Sequence, residues 1–82
     1  IVSVEAFNQE VFQTYKHFSL SNQWLVYHKG NEFVPFLRQN IVSIYFDGKK
    51  ILIDEADKNG VFVLNGNAKE NQMIQDWYHT NA

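Results

Sequence analysis

Three histidines, four serines and one acidic loop are the side chains of this sequence that can do chemistry, and their spacing limits what that chemistry can be. His17, His28 and His79 can each ligate zinc or carry a proton, yet no two stand at the short separations of a ligand pair. Ser3, Ser19, Ser21 and Ser43 lie in no Gly-x-Ser-x-Gly elbow, and a cysteine nucleophile is absent. The run Glu55-Ala-Asp57-Lys-Asn59-Gly60 sets oxygen-bearing side chains on alternate residues ahead of a glycine, as a calcium loop begins. The twelfth position of that pattern falls on Gly66, where a bidentate Glu is needed, so an ordinary Asp/Asn/Gly turn is expected. No glycine-rich stretch can cradle a phosphate. These residues therefore assign no catalytic group, no metal and no cofactor, and a non-enzymatic protein is expected.

What remains is aromatic. Seven Phe, four Tyr and two Trp in 82 residues is a high load, suited to filling a core or to making an interface. Trp24, Tyr27, Lys29 and Arg38 form one candidate set, rings beside positive charge, of the kind that stacks a base or holds an acidic ligand. The same Lys and Arg equally serve as guards against edge pairing of strands. His28 lies on Trp24's strand and close in sequence to Glu32, which offers a pH-sensitive pair, with a simple solvated strand end as the commoner arrangement. With Tyr45 and Trp77, discussed below, the candidate binding residues are Trp24, Tyr27, His28, Arg38, Tyr45 and Trp77.

A formal charge of −2 supplies no basic field, so duplex nucleic acid is not an expected partner. No apolar run reaches the roughly 18–20 residues of a membrane span, and no membrane partner is expected. Ile1-Val-Ser-Val-Glu5 shows neither the basic nor the apolar part of a secretion signal. With cysteine absent, a cytoplasmic location is the expectation. The length allows one domain spanning residues 1–82, with a core too small to waste apolar surface.

The elements that must hold these side chains read as follows. Ser3 is a candidate N-cap, and Val4, Phe7, Val11, Tyr15 and Phe18 recur at helical steps, which predicts a helix from Val4 to His17. Ser19-Leu-Ser-Asn22 reads as a turn. Gln23 to Lys29 alternates as a strand, Gly30-Asn31 is a hairpin turn, and Glu32 to Arg38 returns. Pro35 confines that return strand to an edge or a bulge. Ile41 to Asp47, Lys49 to Asp54 and Val61 to Leu64 complete five strands, with Asp47-Gly48 as the strongest turn. Asn67 with Glu70 makes a capping box for a last helix, whose Met73, Ile74, Trp77 and Tyr78 share a face. The expected fold class is α+β: N-terminal helix, five-stranded antiparallel meander, C-terminal helix.

The last three strands are apolar on both faces. Val42, Ile44 and Phe46 oppose Ile41, Ser43 and Tyr45, and neither set is polar enough to face water freely. If both helices cover one side, the Tyr45 and Leu52 side is left to a partner; if they sandwich the sheet, the monomer is complete. The functional expectation is a binding module of the inhibitor or adaptor type, acting through an aromatic surface on a protein partner and self-associating as a homo-oligomer. The alternative is a protein that binds or sequesters a small ligand or nucleotide in a pocket between protomers. Single-stranded nucleic acid is a third partner class.

Overall fold

In a computed structural model of the chain, residues 3–80 are described; Ile1 and Val2, part of the segment read for a signal, lie outside them. Ser3 caps the first helix as its residue type requires, its Oγ accepting from the Ala6 amide at 3.1 Å. That helix, α1, is Val4–Asn8 only. The expected continuation to His17 is corrected: the chain leaves the helix at Gln9 and forms β1 (Gln13–Thr14), then β2 (Phe18–Leu20), antiparallel to it. Tyr15 and Phe18 fit a helical stripe and a sheet equally well by spacing, and burial decides between them. Phe18 sits in the core opposite Tyr27, a contact that a five-residue helix with no buried residue cannot match.

β3 (Trp24–Lys29) and β4 (Glu32–Leu37) follow as a hairpin through Gly30, whose φ of +60° suits glycine. The first sheet runs β1-β2-β3-β4, which places β4 and its Pro35 at an edge, as a residue without an N–H requires. A 3-10 turn at Arg38–Asn40 then carries the chain into β5 (Ile41–Asp47), β6 (Lys50–Glu55) and β7 (Phe62–Asn65), a separate three-stranded antiparallel sheet. The single five-stranded meander is thus corrected to sheets of four and three strands. The physical reason is the burial of one apolar face of each sheet against the other. Folding the chain over at Arg38–Asn40 lets Phe18, Leu20, Leu25, Tyr27 and Phe36 of one sheet cover Ile41, Ile44, Ile51, Ile53 and Leu64 of the other.

The last helix, α2 (Ala68–Thr80), closes this core with Ile74 and Trp77, both buried. Its cap is half of the expected box. Asn67 Oδ1 accepts from the Glu70 amide at 2.9 Å, while the Glu70 carboxylate turns away to His17 Nδ1 at 2.7 Å. Along β5, whose outer side meets no strand among the described residues, α2 supplies side-chain donors: the Tyr78 hydroxyl to Ile41 O at 2.7 Å and the Gln75 amide to Ile44 O. Trp77 Nε1 donates to Ser21 O at 2.6 Å, tying the helix to the first sheet as well. Among the described residues no helix is long and apolar enough to cross a membrane.

Candidate functional site

With the inner faces of both sheets committed to the core, surface for binding must come from the outer faces. On the first sheet the period-two alternation turns Trp24, Val26 and His28 of β3 outward, and the pairing sets Ser19 and Pro35 on either side of Val26 and Phe33 opposite His28. α1 and the loop after it lie over one flank of this face. The Phe7 ring meets Phe12 at 5.3 Å and stands edge-on to Trp24 at 4.9 Å. On the other flank His28 and Phe33 stack edge to face at 5.1 Å. Between these walls is a cleft of about 450 Å³ lined by Phe7, Phe12, Val26, Phe33 and Pro35, with Thr14, Ser19 and His28 as its polar members.

Those three polar groups form one hydrogen-bonded chain. Ser19 Oγ lies 3.3 Å from Thr14 Oγ1 and 2.8 Å from His28 Nε2. A hydroxyl has one proton to give, so the chain runs either from Ser19 to Thr14 with the imidazole donating to Ser19, or in the opposite sense. A ligand hydroxyl or carbonyl can therefore meet a donor or an acceptor at the same place. A serine bonded to an imidazole also resembles the nucleophile and base of a hydrolase. Here the serine is 6 % exposed, and among the described residues no group of three or more His, Cys, Asp or Glu converges.

The six candidate residues from the sequence are dispersed. His28 lines the cleft, and Trp24 stands beside it on the same face, half-buried against Phe7, its indole N–H without a partner among the described residues. Tyr27 points inward and is buried, its hydroxyl accepting from the Asn65 amide at 3.2 Å across the two sheets. Trp77 is buried in α2. Arg38 opens the 3-10 turn beside a separate depression with Gln23, Leu37 and Gln39. Tyr45 is 45 % exposed on the outer face of the other sheet. Strand alternation thus parts Trp24 from Tyr27 and Lys29, so the stacking set does not share one surface. The histidines are also apart: His17 on Glu70, His28 on Ser19 and His79 against Tyr78 at 5.3 Å.

Sequence reasoning passed over Ser19, Thr14, Phe7, Phe12 and Phe33. The available signal was Phe18-Ser19-Leu20, a polar residue between two apolar ones in strand alternation, which the turn-like Ser and Asn content obscured. Comparison with protein-family models, with curated proteins and with solved structures finds no match for the chain.

Proposed function

We propose that the protein is a non-enzymatic binding module whose cleft on the outer face of the four-stranded sheet takes a small apolar molecule, a ring or short acyl chain bearing one hydroxyl or carbonyl. The observation that carries this reading is the joining of apolar walls to a single polar chain, Thr14-Ser19-His28, in a cavity of about 450 Å³. That volume falls in the roughly 300–1,000 Å³ class of small-molecule sites, which are apolar with a few convergent polar groups. Binding is favoured over catalysis because the serine is buried and, among the described residues, no carboxylate is hydrogen-bonded to His28 to orient it.

A titration of the isotope-labelled chain with benzyl alcohol and with toluene, followed by amide chemical shifts, tests the proposal. Saturable shifts are expected at Thr14, Ser19, Val26, His28 and Phe33, with benzyl alcohol the tighter of the two. Thr14→Phe, a substitution at an exposed strand position that fills the cleft, should abolish them. Shifts that do not saturate, or that survive Thr14→Phe in a folded protein, overturn the reading.

A second reading has a specific observation behind it. Phe33 is 67 % exposed at the rim, as a ring waiting for a protein surface is. A protein partner inserting an apolar side chain would lose affinity on Phe33→Ala by about 2 kcal/mol or more, whereas small-molecule binding would weaken less.

A further inference from the structure

The outer face of the three-stranded sheet is a second surface, independent of the cleft. Register aligns Tyr45, Leu52 and Val63 in one cross-strand row. Tyr45 and Val63 are 45 % and 54 % exposed, and the core lies on the opposite face. The same register places Asp47, Lys50 and Asn65 in the row on one side and Ser43 with Asp54 on the other. On β6 the outward residues are therefore Lys50, Leu52 and Asp54, opposite charges flanking an apolar centre.

We infer that this face is where a second copy of the chain docks, sheet against sheet, about a two-fold axis that runs along the Tyr45-Leu52-Val63 row. An isologous interface must complement itself. A two-fold axis lying across the strands sets Tyr45, Leu52 and Val63 each against its own counterpart. It also sets each Lys50 against the partner's Asp54. Asp47 then meets the uncharged Ser43 of the other copy. A two-fold axis lying along β6 instead stacks Lys50 on Lys50 and Asp54 on Asp54, replacing two ion pairs by two like-charge contacts while burying the same apolar row. Charge thus selects one orientation of two. Facing sheets are about 10 Å apart, a gap that a lysine and an aspartate reaching from opposite sides can close.

Size sets the strength. Strands of seven, six and four residues, at about 3.4 Å per residue and about 4.8 Å apart, present roughly 280 Å² of sheet in projection, small beside the roughly 800 Å² of accessible surface that each partner buries in a standard interface. The dimer is consequently weak and forms toward millimolar concentration.

Sedimentation equilibrium of the full chain from micromolar to millimolar concentration tests this, with circular dichroism confirming the fold of every variant. Wild type is expected to show a monomer–dimer equilibrium. Lys50→Asp should weaken it about tenfold or more by setting like charges face to face, and Lys50→Asp combined with Asp54→Lys should restore it. Tyr45→Asp should abolish it. A wild type that stays monomeric at millimolar concentration overturns the inference, as does dimerisation indifferent to Lys50→Asp. A double variant no stronger than the single one contradicts the two-fold orientation proposed.

Discussion

The hydroxyl of Ser19 reaches both Thr14 Oγ1 and His28 Nε2, so the polarity of the cleft depends on one small side chain. Ser19→Ala removes it while leaving the half-buried imidazole able to turn to water. The expected loss in stability is about 0.5–1.5 kcal/mol by urea unfolding, with the preference for benzyl alcohol over toluene erased. Glu55 tests a different property of single residues. Burial holds its carboxyl above the ordinary carboxylate range, opposed in smaller measure by the nearby Lys58 charge. The folded state therefore holds this proton more tightly than the unfolded chain does. The stability it contributes is full below the ordinary carboxylate pKa and is lost as pH rises through the folded value. Glu55→Gln should match wild type in acid and melt at a higher temperature near neutrality; equal melting at both ends of the pH range would refute this.

At the scale of elements, α2 and the strand leading into it carry the clearest stakes. Trp77→Phe leaves Ser21 O without its 2.6 Å donor in a buried place, at a cost of about 1–3 kcal/mol by denaturant unfolding. Gly66 stands just before α2, and a Cβ there would run into Cδ1 and Cγ1 of Ile51, which is itself in the core. Gly66→Ala should therefore cost about 1–3 kcal/mol through overpacking, although its backbone needs no special φ. Where local chemistry is self-sufficient, the elements were legible from sequence: the Asn67 cap, the Gly30 hairpin and the edge position of Pro35 stand where residue type places them, while the turn expected at Asp47-Gly48 falls one residue later, on Gly48 and Lys49 between the paired Asp47 and Lys50. The first helix was not, because Phe7, Val11, Tyr15 and Phe18 satisfy a helical period by spacing while the energy of burying Phe18 lies in a cross-strand contact with Tyr27 on the next strand. The break at Arg38–Asn40 was hidden for a related reason. A short polar connection between two strands looks the same whether they pair or part, and only the burial of one sheet's inner face against the other's chooses.

The whole molecule covers one apolar face of its last three strands by folding one sheet over the other, with α2 along the open side of β5. What remains outward is the cleft on one sheet and the Tyr45 row on the other. The two sheets and α2 share a core among the described residues and should unfold as one unit, with α1 outside it. Hydrogen exchange should find the amides of β3 and β6 most protected and those of α1 exchanging far faster, because α1 buries nothing of its own. Of the candidate site, only His28 and its neighbour Trp24 could be reached from sequence. The rest depends on a sheet register that brings β2 and the α1 loop to one face, and no local pattern encodes that. The decisive measurement is of intermolecular nuclear Overhauser contacts between benzyl alcohol and the labelled chain. Ring protons should show contacts to the Val26 methyls and to the Phe12 and Phe33 rings, with the hydroxymethyl group toward Ser19 and His28. Contacts to Tyr45, Leu52 or Val63 instead, or none at a concentration where shifts saturate, would contradict the assignment of the cleft as the binding site.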